Sequence, residues 1–157
     1  EVAGTATAAG CQLVASCDLA YASSSAKFAT PGVNIGLFCS TPMVAISRNL
    51  SNKHSMEMLL TGELISSDKA SKIGLINDVV EKSTLKDFVL NKAQKISKKS
   101  SVTLKIGKEA FYKQLDMKLS DAYDYASKVM VQNMLKLDAK EGIDAFIDKR
   151  EPKWKDK

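Results

Sequence analysis

Few side chains in this sequence are equipped for chemistry. Cys11, Cys17 and Cys39 are its only thiols and His54 its only imidazole. The cysteines form no CxxC pair, no histidine stands at metal-ligand spacing beside them, and their number is odd. Neither a zinc site nor a disulfide framework is expected, and the usage fits a reducing interior compartment. A thiol becomes a nucleophile only beside a cation or a base. His54 begins a helical pattern well past Cys39, which assigns Cys39 to packing and His54 to the surface. The remaining chemistry belongs to the backbone. Thr5-Ala6-Thr7-Ala8-Ala9-Gly10 are all small, as in a turn whose main chain must lie close to something. Residues 11–17 then read as a helix packed tightly on a sheet, and N–H groups at such a helix start favour negative charge.

Charge narrows the partners. The formal net charge is +5 over 157 residues, and between Lys82 and Lys118 only Asp87, Glu109 and Asp116 oppose the lysines. These lysines read as solvated helix faces, or in part as a surface meeting an anionic ligand. Nucleic acid is disfavoured because aromatics are not interleaved with them. With 45% hydrophobic and 26% charged residues, the composition is that of an ordinary globular domain. No apolar run approaches the ~20 residues of a membrane span.

The elements that must position these groups fall into two styles. Residues 1–39 are small and poor in charge, whereas the chain beyond residue 50 is lysine-rich and helical in pattern. Glu1-Val2-Ala3-Gly4 reads as a strand end entering a turn, with further sequence expected upstream and no targeting segment visible. Residues 18–22 and 28–30 are expected to be short buried strands, with Pro31-Gly32 breaking the pattern. Thr41-Pro42 is expected to open a helix. Residues 55–61 end at Gly62 and residues 66–73 at Gly74, both at C-cap positions. Residues 75–80 are expected as a strand. Ser83, Ser100 and Ser120 are expected to cap three helices, and Asp138-Ala139-Lys140-Glu141 is a capping-box pattern for a last helix stopped by Pro152.

Ala6-Thr7-Ala8-Ala9-Gly10-Cys11-Gln12-Leu13 with Cys17-Asp18 resembles the crotonase (enoyl-CoA hydratase/isomerase) signature, in which a glycine triplet opens a helix. Lys27-Phe28-Ala29-Thr30-Pro31-Gly32 with Ile35-Gly36 resembles that family's F-x-x-P-E loop. Met58-Leu59-Leu60-Thr61-Gly62, Gly74-Leu75-Ile76-Asn77 and Glu141-Gly142-Ile143-Asp144-Ala145-Phe146 resemble its later blocks, in the same order across the chain. The resemblance implies an α/β fold, the ClpP-like crotonase spiral of ββα units followed by a C-terminal helical trimerisation region, with the N-terminal half missing. Residues 1–82 would be core and residues 83–157 the helical oligomerisation region. It further implies an acyl-CoA thioester as ligand, no other cofactor and no metal, a homotrimer or dimer of trimers, and a mitochondrial matrix address.

Crotonase chemistry polarises a thioester carbonyl with two backbone N–H groups. Losing one such donor costs on the order of 3 kcal/mol in other enzymes. The resemblance places one donor at the N–H of Ala9, where the family has its middle glycine; an alanine serves if its φ stays negative. Hydration also needs two carboxylates to activate water and protonate the α-carbon. The family's two positions hold Gln12 and Gly32 here. Glutamine orients a water but exchanges no proton near neutral pH, and glycine offers nothing. Ser40 lies in the loop near the family's reacting water, Met130 where relatives line the substrate crevice, and Lys149 where a last-helix lysine reaches CoA held by a neighbouring subunit. The expectation is an acyl-CoA-binding member of fatty-acid metabolism with little or no hydratase turnover. Two alternatives stand beside it: an active crotonase-type hydratase, isomerase, decarboxylase or thioesterase using other proton carriers, or a non-catalytic regulatory or interaction subunit.

Overall fold

The computed structural model describes residues 1–156. The chain divides into two compact units, Glu1–Lys92 and Ala93–Lys157.

In the first unit, β1 (Thr5–Thr7), β3 (Lys27–Ala29) and β4 (Ile65–Ser66) form a sheet in the order β1-β3-β4. The β1–β3 pair is parallel, setting Ala6 opposite Phe28, and β3–β4 is antiparallel. Strands β2 (Tyr21–Ser23) and β5 (Asp78–Val80) pair in parallel. Helix α1 (Ala9–Ser16) lies between β1 and β2, α2 (Ser40–Asn49) and α3 (Asn52–Thr61) between β3 and β4, and α4 (Ser67–Lys72) between β4 and β5. A parallel pair cannot close through a tight hairpin, so each crossover is helical. The core holds Cys11, Val14, Ala22, Phe28, Ile46 and Met58. Its many alanines let the layers approach closely, which explains why the segment looked unusually small-residue in sequence.

Several helix ends follow local chemistry. Ser51 and Ser66 cap α3 and α4 by accepting from the N–H groups of His54 and Lys69. Gly62 and Gly74 turn at φ 63° and 88°, conformations that cost a glycine little. Elsewhere tertiary contacts win. α2 starts at Ser40 rather than at a Thr41 cap, because Cys39 stands at the N-cap with its sulfur engaged by the loop before it. Residues 18–19 stay exposed outside β2, and only the end of the expected strand over residues 75–80 pairs. Asn77 explains both: its side chain accepts from Ala20 N–H at 2.7 Å and its N–H donates to Ala20 O at 2.7 Å, a loop clasp in place of a ladder. The small-residue stretch before α1, expected as a turn, begins as β1.

Helix α5 (Leu85–Ser97) runs across the unit boundary. It starts two residues past Ser83, after a turn in which the N–H and hydroxyl of Thr84 both bond Glu81 O. The second unit contains α6 (Ser101–Gln114), α7 (Leu119–Met134) and α8 (Leu137–Ile147). Ser100 caps α6 by accepting from Thr103 N–H. Ser120 and Asp138 cap nothing: Lys118 and Lys136 hold those N-cap positions without side-chain bonds. Asp138 is instead 1% exposed and takes the N–H groups of Lys155 and Asp156 at 2.7 and 3.1 Å. A distant partner with two ideal donors displaces the local capping box. α8 ends at Ile147, before Pro152, where Lys149 turns to φ 53°. Among the buried hydrophobic residues, Ala145 alone belongs to this unit, so its helices bury little by themselves.

Candidate functional site

The first unit brings the helix start and the loop after β3 together. Ala8 N–H donates to Ala29 O at 3.0 Å, tying the entry of α1 to the end of β3. To make that turn Ala8 adopts φ 48°, ψ −115°, a region that costs a residue bearing a Cβ on the order of 1–3 kcal/mol. The strain falls on Ala8, not on Ala9, whose φ is negative as a donor there requires. Ala9 is the first residue of α1 and exposed. Its N–H has no helical acceptor behind it, and no other acceptor meets it among the described residues. Strained backbone next to an unsatisfied, outward N–H is the arrangement an oxyanion donor needs. The strain on Ala8 was not anticipated from the sequence, although Ala8 stands first in the small triplet Ala8-Ala9-Gly10 that resembles the family's glycine triplet.

Gln12 follows on α1, half-buried, its side-chain amide making no protein hydrogen bond among the described residues. Its own carbonyl is occupied by the Ser16 hydroxyl at 2.8 Å. Next to it Cys11 is fully buried and burial pushes its thiol up to about 11, with Cys39 adding a smaller push in the same direction. Cys11 is therefore a neutral packing group.

Gly32 lies in a short 3₁₀ helix, Pro31–Ile35. Its N–H donates to Cys39 Sγ at 3.3 Å and its carbonyl accepts from Leu37 N–H at 3.0 Å. A Cβ built on Gly32 would stand 2.7 Å from Leu37 O, 2.9 Å from Cys39 Sγ and 3.3 Å from Cys39 N. Real Cβ atoms do not approach backbone oxygen so closely, so the loop from Gly32 to Cys39 is closed over a glycine. The space beside Gly32 is thus filled, a packing constraint that no reading of single positions reveals. Thr30, near the same loop, has its hydroxyl committed to Met58 O at 2.8 Å in a buried setting.

Ser40 is exposed, its hydroxyl 3.3 Å from Phe38 O. His54 is a surface residue on α3, 4.0 Å from the Glu57 carboxylate. Met130 and Lys149 belong to the second unit: Met130 is 59% exposed on α7, and Lys149 follows α8 without an ion pair among the described residues. Its neighbour Arg150 is held by Glu141 at 2.7 Å and Asp148 at 3.4 Å. The guanidinium, with Lys153 N–H, lowers the Glu141 carboxyl to about 2. No cluster of three or more metal-binding side chains occurs among the described residues, and no helix among them is long and apolar enough to cross a membrane.

The model of the family described as enoyl-CoA hydratase/isomerase matches residues 1–157. The chain is 54% identical over 153 residues to the rat protein named enoyl-CoA hydratase domain-containing protein 3, mitochondrial, covering 98% of the chain and 51% of that relative. A solved structure of an enoyl-CoA hydratase from Mycobacterium smegmatis superposes with TM-score 0.95 at 48% identity, covering 98% of this chain and 60% of that one. The human enoyl-CoA hydratase domain-containing protein 3 structure gives TM-score 0.93 at 51% identity, covering 96% and 59%. The chain spans about half the length of the curated relatives it matches.

Proposed function

The chain belongs to the enoyl-CoA hydratase/isomerase family and has its crotonase fold, and on that premise we propose that it forms part of an acyl-CoA thioester-binding protein with little or no hydratase turnover. One observation carries this reading. Gln12 and Gly32 stand where the resemblance puts the family's two carboxylates, and a side chain on Gly32 would run into Leu37 O and Cys39 Sγ. The thioester carbonyl would lie against the Ala9 N–H at the positive end of α1. Gln12 would hold a water or the acyl group by its amide without exchanging a proton. Ser40, Met130 and Lys149 are carried as further ligand contacts, Lys149 as a point charge for a CoA phosphate.

Two further assignments rest on the same footing. Exposed Leu119, Tyr123, Met130, Leu135 and Phe146 form apolar surface on the second unit, which supports assembly as a trimer or a pair of trimers. The names of the relatives support a mitochondrial site of action, and we place it in the matrix.

The deciding experiment uses the full-length protein. Calorimetric titration with butyryl-CoA reads binding, and crotonyl-CoA hydration is measured beside a two-glutamate family member. Binding is expected with turnover at least ~10³-fold lower, since each general acid or base is worth 10²–10⁴. Turnover within tenfold of the reference enzyme would overturn the proposal, as would the absence of binding.

A further inference from the structure

Helix α8 ends on a lysine where a glycine would sit without strain. Arg150 N–H donates to Ala145 O at 3.0 Å and Lys149 N–H to Phe146 O at 3.3 Å, the two backbone bonds that close a helix over a residue in the left-handed region. Lys149 is that residue, at φ 53°. The conformation is costly for any residue bearing a Cβ, and where α3 and α4 end the left-handed residues are Gly62 and Gly74. Strain of this kind persists only where the surroundings over-determine it, and it gathers at functional sites. We propose that the Glu141–Arg150 ion pair is a positioning device for Lys149, locking the strained turn so that the ammonium is presented to a CoA phosphate; this rests on the reading of Lys149 as a ligand contact.

The contacts around the turn argue for the lock. The Arg150 guanidinium meets Glu141 with both terminal nitrogens, at 2.7 and 3.2 Å, a planar fit that fixes direction as well as distance. Its Nε reaches the Asp148 carboxylate at 3.4 Å, so the side chains on either side of Lys149 are joined to each other. Glu141 lies within α8, which refers the turn to a regular element, and its Oε1 also accepts from Lys153 N–H at 2.8 Å. One carboxylate therefore holds the chain at two points beyond the lysine. Of the adjacent cations, Arg150 is consumed by these contacts, while Lys149 is exposed and left for an anion from outside. With its backbone already fixed, only its own side-chain torsions remain to be ordered when a phosphate arrives, which lowers the cost of binding.

The test is a double-mutant cycle in the full-length protein, read by calorimetric titration with butyryl-CoA and by thermal melting. Lys149→Gly relieves the turn and removes the charge. It is expected to melt no lower than wild type yet to bind roughly tenfold more weakly. Glu141→Gln keeps an acceptor for Lys153 N–H but loses the ion pair. It should weaken binding about three- to tenfold in the wild-type chain and not at all in the Lys149→Gly chain, because it acts only through the lysine. Arg150→Gln breaks the same pair from its other end and should repeat the pattern, which keeps the test open if Glu141→Gln fails to fold. Unchanged affinity in Lys149→Gly removes the lysine from the ligand site and the proposal with it. A weakened Lys149→Gly beside an unchanged Glu141→Gln overturns the positioning role alone and leaves the thioester reading standing. Equal losses with and without the lysine also overturn it, since the ion pair would then serve the fold and not Lys149.

Discussion

Replacing Gly32 by alanine tests whether the loop from Gly32 to Cys39 is closed by packing. The new Cβ would sit 2.7 Å from Leu37 O and 2.9 Å from Cys39 Sγ. The sulfur can rotate away, but the carbonyl belongs to the backbone and is tied into the loop that the Leu37 N–H to Gly32 O bond closes. The loop must open, at the overpacking cost of about 1–3 kcal/mol. With a urea slope of about 1–3 kcal/mol/M, the unfolding midpoint should fall by roughly 1 M, at unchanged slope. Cys39→Ala in the same chain removes the sulfur contact but leaves Leu37 O in place. The pair should therefore be less destabilised than the sum of the singles, yet remain below Cys39→Ala alone. Gly32→Glu carries the same Cβ and should fare no better, whereas Gln12→Glu on the half-buried face of α1 meets no such barrier. A Gly32→Ala protein with the wild-type midpoint would refute the reasoning.

Three other outcomes are expected. Exposed Cys17 should react with a thiol reagent first and buried Cys11 last, since raising the Cys11 thiol from 9.0 to about 11 cuts its thiolate ~100-fold; mass mapping after brief alkylation reads the order, and early labelling of Cys11 would contradict it. Glu141 and Asp138 both have folded carboxyls below their ordinary range, so the stability they contribute is complete above pH 4.5 and is lost as pH falls from there toward 2. Thermal unfolding across that window should be flatter for Glu141→Gln than for wild type. Lys149→Glu should weaken butyryl-CoA binding in the full-length protein while leaving the melting temperature within a degree or so, because an exposed side chain contributes little to stability; equal affinity of the two proteins would remove Lys149 from the ligand site.

What could be read from the sequence was what local chemistry decides. The glycine ends at 62 and 74 and the serine cap at 100 depend on a few neighbouring residues and were legible. Asp138 obeyed the capping-box pattern and was misread, because the donors it serves are on Lys155 and Asp156, too far along the chain to weigh in advance. Ser83 and Ser120 failed for a related reason: a hydroxyl near a helix start is a cap only if the chain enters at the right angle. At the candidate site, Ala9, Gln12 and Gly32 were proposed through the family blocks. The strain on Ala8 and the sulfur and carbonyl packed against Gly32 arise from three-dimensional closure.

The filled space beside Gly32 also bears on how such a chain can change. Any side chain at residue 32 must be accommodated before it can act, because the loop must first release Leu37 and Cys39. Change at this position is therefore coupled to change in its neighbours: a larger residue is tolerated only after another substitution has made room. Drift is channelled instead to positions such as Gln12, half-buried on α1, where a new side chain meets no such barrier.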